Sequence, residues 1–154
     1  MTFTMQYSEE KILDVVLEVK NILEVFLDDT KNNLNKNKII FLGLKGDLGA
    51  GKTTLTKSLL KNYGVEKTVA SPTFVIRRDY ICRDTFDKII HIDAYRLENK
   101  KDIKNILRDI NLMDAKENIL ILIEWPENAD IKYDIIFEIK HISETERQIT
   151  QILE

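Results

Sequence analysis

The sequence predicts an α/β fold: a central, mostly parallel sheet flanked by helices, with antiparallel C-terminal strands added to it. Three observations carry this. The runs "KIIFLGLK" and "NILILIEW" have the length and β-branched content of strands buried on both faces. Stretches with helical apolar spacing precede and separate them. The tail offers two strand-like segments in close succession, "YDIIFEIKH" and "RQITQIL".

The first expected element is a helix from Ser8 to about Asp29. Ile12, Val15, Val16, Val19, Ile22, Leu23 and Phe26 recur at helical spacing, and Ser8 suits an N-cap. Polar turn-formers in "TKNNLNKNK" end it. The strand "KIIFLGLKG" follows, then a glycine loop and a helix from Lys52 to Asn62, with Gly64 placed as a left-handed cap. Pro72 interrupts "TVASPTFVIRRDYICR" ahead of an extended stretch. In "DKIIHIDAY", Ile90, Ile92 and Ala94 face one way and His91, Asp93 and Tyr95 the other. Residues from about Asn99 to Leu107 read as helix. The strand "NILILIEW" ends abruptly at Glu124, because Pro126 blocks its continuation. No repeat or linker divides the chain, so residues 1–154 are expected to form one domain.

Composition narrows the function classes. Apolar residues make up 44% of 154 residues, enough for a substantial core. No apolar run approaches the roughly 20 residues of a membrane span. The start "MTFTMQYSEE" has no basic stretch leading into an apolar core, so no signal peptide is expected. A single cysteine, Cys82, suits a reducing cytoplasm. The net charge of −3 does not advertise DNA or RNA as a direct partner.

The chemistry is concentrated in "GDLGAGKTT". Gly46, Gly49, Gly51, Lys52 and Thr53 fill the whole G-x-x-x-x-G-K-[ST] pattern, extended by Thr54, and the loop lies between a strand and a helix as that pattern requires. Glycines let consecutive backbone N–H groups turn toward phosphate oxygens, and the helix that follows directs its positive end at the same anion. Lys52 can reach the β- and γ-phosphates, and the Thr53 hydroxyl can bind Mg²⁺. Such a loop needs an acid at the end of a neighbouring strand. Glu124 is the best placed, since a buried, unpaired carboxylate is costly and a metal would satisfy it. A salt-bridged strand end is the structural alternative. Asp93, late in its own strand and on one face with His91 and Tyr95, could orient the attacking water or bind the metal through water. "NKKD", residues 99 to 102, matches an element with which GTPases read guanine. It follows "YRLE" rather than an apolar strand, and no D-x-x-G occurs in the chain, so it reads as the polar start of a helix.

With the loop, "SPTF", "HIDAYRL" and "IEWPE" in this order, the chain closely resembles the TsaE (YjeE) family along essentially its whole length. Those proteins are small bacterial P-loop ATPases needed to form threonylcarbamoyladenosine at position 37 of ANN-decoding tRNAs. The resemblance implies ATP phosphates on Gly49, Ala50, Gly51, Lys52, Thr53 and Thr54, with Mg²⁺ at Thr53 and Glu124. It implies a nucleotide-sensing segment at Ser71, Pro72 and Thr73, with Thr73 placed to sense the γ-phosphate or the metal. Asp93 matches an acid important for hydrolysis, and Trp125 an aromatic beside the metal-binding glutamate, although it could equally be a packing residue. Arg147 sits about where the family has an arginine near the nucleotide. "ENAD" after Pro126 departs from the basic residue and glycine expected there, which touches surface detail rather than the site. The resemblance further implies a TsaB–TsaD complex as partner, reset by ATP hydrolysis, with tRNA reached through that complex and no membrane or DNA partner.

Two other classes fit a phosphate loop. A small-molecule kinase would need an acceptor pocket and clustered arginines, whereas Arg77, Arg78, Arg83, Arg96 and Arg108 are scattered. A nucleotide-dependent binding module with incidental hydrolysis would not require Lys52, Thr53, Asp93 and Glu124 together.

Overall fold

The computed structural model describes residues 3–31, 39–66, 76–112 and 116–152. The chain opens with strand β1 (Thr4–Ser8), a 3₁₀ turn at Glu9–Lys11 and helix α1 (Ile12–Lys31). Strand β2 (Ile39–Lys45), helix α2 (Lys52–Asn62), strand β3 (Arg77–Asp84) and strand β4 (Phe86–Asp93) follow. Then come the short helix α3 (Asp102–Ile106), strand β5 (Ile119–Glu124), a 3₁₀ turn at Pro126–Asn128, and strands β6 (Ile135–His141) and β7 (Glu146–Ile152).

Among the described residues the strands form one sheet in the order β1-β7-β6-β2-β5-β4-β3. Its centre, β6-β2-β5-β4, is parallel, and β3, β7 and β1 join antiparallel. The expected fold class therefore holds, with antiparallel strands at both edges rather than in the tail alone. The parallel pairing brings the carboxyl ends of β2, β4 and β5 to one side, with Leu44 opposite Glu124 and Asp93 opposite Glu124.

Alternation along the central strands feeds two cores. On one face, Val15, Val16, Val19, Leu23 and Leu27 of α1 and Leu55, Leu59 and Leu60 of α2 pack over Leu42, Leu44, Leu120, Leu122 and Phe137. On the other, Ile90, Ile92, Ala94, Ile121 and Ile123 lie under Ile103, Leu107, Ala129 and Tyr133. The isoleucine face expected for β4 is thus observed.

The N-terminus corrects the expectation at Ser8. Ser8 ends β1, opposite Glu146 of β7, and makes no capping bond. Pairing with β7 holds its backbone extended, so the helix starts only after the 3₁₀ turn. The helix expected over Asn99–Leu107 shortens to Asp102–Ile106, because the backbone N–H of Lys101 donates to the Asn99 side chain and builds a turn first. Gly64 has φ +78°, as expected for the left-handed end of α2.

Candidate nucleotide and metal site

The phosphate loop leaves β2 at Gly46 and enters α2 at Lys52. Gly46 could be no other residue without a shift, since an added Cβ would lie 2.6 Å from the backbone oxygen of Ile139. Gly51, at φ +108°, makes the turn into the helix in a region that side chains disfavour. The first-turn N–H groups of α2 therefore face back into the loop. A ring nitrogen of His141, at the end of β6, donates to the Gly49 carbonyl at 3.1 Å.

Two cavities meet on this loop, sharing Gly49, Gly51 and Thr54. One, of about 410 Å³, is lined also by Lys52, Thr53, Asp93, Tyr95, Glu124 and Trp125. The other, of about 330 Å³, is lined also by Tyr7, Ser8, Ile12, Ala50, Thr145 and Arg147.

Lys52 is only 5% exposed. Its ammonium donates to the carbonyls of Gly46 and Asp47 at 2.6 and 2.8 Å and stands 4.1 Å from the centroid of the Trp125 ring. Burial pushes its pKa below the ordinary lysine value, while Glu124, Glu127, Asp93 and Asp47 pull it back up. Trp125 holds a left-handed φ of +60°, rare for so bulky a residue, with Tyr95 packed against its ring at 4.9 Å.

Glu124 is 2% exposed, although it ends a strand. The Thr53 hydroxyl lies 3.0 Å from its Oε2 and 3.3 Å from its Oε1, and His91 Nε2 lies 2.8 Å from Oε1. A buried carboxylate beside a threonine hydroxyl at the mouth of an anion-binding loop is a hard, all-oxygen donor pair. It suits Mg²⁺, which takes one or two carboxylates and completes its shell with phosphate and water. Among the described residues no group of three or more His, Cys, Asp and Glu side chains is placed to hold a metal alone.

Of the predicted trio on β4, Asp93 and Tyr95 line the larger cavity, and His91 reaches the same site through Glu124. Asp93 faces the larger cavity and accepts from the Tyr95 backbone N–H at 3.0 Å, His91 turns beneath it to Glu124, and Tyr95 leaves the strand for Trp125. Because β4 ends at Asp93, Tyr95 is placed by the turn after the strand rather than by period-two alternation. Arg147, from the last strand, lines the smaller cavity and donates to the carbonyls of Ser143, Glu144 and Glu146. Ser71, Pro72 and Thr73 lie outside the described residues. Sequence reasoning passed over Tyr7 and Ser8 as cavity residues and the His91–Glu124 contact. Each depends on cross-strand register, which no spacing in the chain encodes.

A parallel sheet with a strand, a glycine loop and a helix at its centre, and a buried acid on the adjacent strand, defines the P-loop class of proteins. Within that class, the sequence profile of the family described as "Threonylcarbamoyl adenosine biosynthesis protein TsaE" matches residues 18–149, and the chain belongs to this family. Among curated relatives, the "tRNA threonylcarbamoyladenosine biosynthesis protein TsaE" of Streptomyces coelicolor is 42% identical over 54% of this chain and 55% of its own length. The protein of the same name from Haemophilus influenzae is 38% identical over 62% of this chain and 58% of its own. The matched part thus spans little more than half of either relative. With the Aquifex aeolicus protein of that name the match is 31% identical and nearly end to end, 91% of this chain and 96% of the relative. The crystal structure of Bacillus subtilis YdiB shares the fold at a TM-score of 0.56 and 22% identity, over 98% of this chain and 86% of that one.

Proposed function

We propose that this protein is a Mg²⁺-dependent ATPase required for threonylcarbamoyladenosine modification of ANN-decoding tRNAs, and that its hydrolysis resets a TsaB–TsaD complex between turnovers. The observation that carries the ATPase reading is the 3.0 Å approach of the Thr53 hydroxyl to the buried Glu124 carboxylate beside the phosphate loop. Family membership supports the pathway and the partner.

ATP phosphates would replace the Gly46 and Asp47 carbonyls as acceptors for Lys52, exchanging neutral partners for charged ones. The adenosine would extend toward the cavity between Tyr7 and Arg147. Thr53 and Glu124 would hold Mg²⁺, which supplies charge neutralisation across the β- and γ-phosphates. Asp93 lines the same cavity from the adjacent strand and is free of the Thr53–Glu124 pair, which suits it to orient a water. The substrate-bearing partner is then another protein.

Asp93→Ala and Glu124→Gln test the assignment. Both variants are expected to fold and to retain ATP binding, with partner-stimulated hydrolysis reduced by roughly 100-fold or more, the scale of losing a positioned acid–base group. Wild-type stimulated hydrolysis in both would remove these residues from the mechanism.

A further inference from the structure

His91 is fully buried and serves no phosphate or water in the mechanism above. It stands on β4 directly opposite Leu122 of β5, two residues before Asp93. Its Nε2 lies 2.8 Å from Glu124 Oε1. A carboxylate only accepts, so Nε2 carries the hydrogen. The other ring nitrogen, Nδ1, is inaccessible and has no hydrogen-bond partner among the described residues. Packing does not account for an imidazole there. Ile89, Leu120 and Leu122 fill the same face with aliphatic side chains, and another in its place would bury no unpartnered ring nitrogen. The one interaction that offsets the buried ring is the bond to Glu124.

The two carboxylate oxygens are thereby held from two elements. Thr53 of α2 is the close partner of Oε2, and His91 of β4 the close partner of Oε1. Thr56 does not substitute for either. Its hydroxyl donates to the Lys52 carbonyl at 2.9 Å and stands 3.5 Å from Oε1. We propose that His91 is a positioning residue for the metal site: its Nε2–H fixes the rotation of the Glu124 carboxylate, so that the glutamate meets the metal already aligned with Thr53. This rests on the reading that Thr53 and Glu124 hold Mg²⁺. It assigns His91 no contact with the metal or the nucleotide.

The test uses the full chain with Mn²⁺ as the probe and a non-hydrolysable ATP analogue present, free Mn²⁺ being read by electron paramagnetic resonance. Analogue affinity in EDTA and thermal unfolding are recorded beside it. His91→Leu is expected to bind the analogue in EDTA within about two-fold of wild type, and Mn²⁺ about 10- to 100-fold more weakly, the usual loss when a group that orients a metal ligand is removed. His91→Gln, whose amide can reach the place of Nε2, is expected to recover most of the Mn²⁺ affinity, and His91→Asn, one methylene shorter, is not. A folded His91→Leu protein with wild-type Mn²⁺ affinity would overturn the proposal. Should the leucine variant not fold, equal Mn²⁺ affinity in the Gln and Asn variants would do the same. Failure of the wild-type protein to bind Mn²⁺ with the analogue is a different result: it overturns the metal reading itself, and the role of His91 with it.

Discussion

Lys52 and Cys82 show how burial sets the behaviour of single side chains. The Lys52 ammonium is held by two loop carbonyls and by the ring of Trp125, the only tryptophan in the chain. ATP binding is therefore expected to change Trp125 fluorescence as the ammonium turns to phosphate. Lys52→Ala should abolish that change and weaken ATP binding on the order of 10- to 100-fold, the worth of a charge-assisted hydrogen bond. Titration of intrinsic fluorescence reads both. Cys82 is 5% exposed on β3, and burial pushes its thiol up to about 11. Its unfolded value is about 8.5, so the native state holds the proton more tightly. The resulting stabilisation is complete below that pH and is lost as pH rises toward 11. Burial raises Tyr7, Tyr63 and Tyr80 in the same sense. Guanidinium unfolding midpoints should accordingly fall between pH 8 and 10, and the native thiol should react with an aromatic disulfide reagent far more slowly than the unfolded one.

At the scale of elements, legibility followed burial. Strands β2 and β5 announced themselves because both faces are covered and nearly every residue is apolar. Strand β1 gave no such signal: in "TMQYS" only Tyr7 is buried, and the segment is a strand because β7 offers it an edge. The arginines before β4 read as scattered charge, yet Arg77 is a clamp. It donates to Asp79 and Asp109 and to the Ile106 carbonyl, tying β3 to the end of α3. These partners hold its guanidinium pKa above the ordinary value. The next backbone contact, from Asp93 N–H to the Ile76 carbonyl, joins that clamp to the site. Arg77→Ala should lower stability by about 1–2 kcal/mol, the exposure of both aspartates moderating the loss. Arg83→Ala, exposed on the same strand, should change it by no more than about 0.5 kcal/mol. Urea unfolding of the two variants makes the comparison.

Across the whole molecule, the carboxyl ends of β2, β4 and β5 meet at the loop, as ligand sites in parallel sheets do. Gly46 to Thr54 and Glu124 were readable because phosphate chemistry demands those residue types at a fixed spacing and strand end. The smaller cavity was not, because Tyr7 and Arg147 come from opposite ends of the chain and face each other only once β1 pairs with β7. The central claim is that this site hydrolyses ATP in the service of a partner. The most direct measurement is ATP hydrolysis by the purified chain, alone and with the TsaB–TsaD pair of its own organism, with and without Mg²⁺. Slow hydrolysis alone, accelerated by the pair and abolished without Mg²⁺, is the predicted result. ATP turnover that the pair leaves unchanged, or that persists without Mg²⁺, would contradict it.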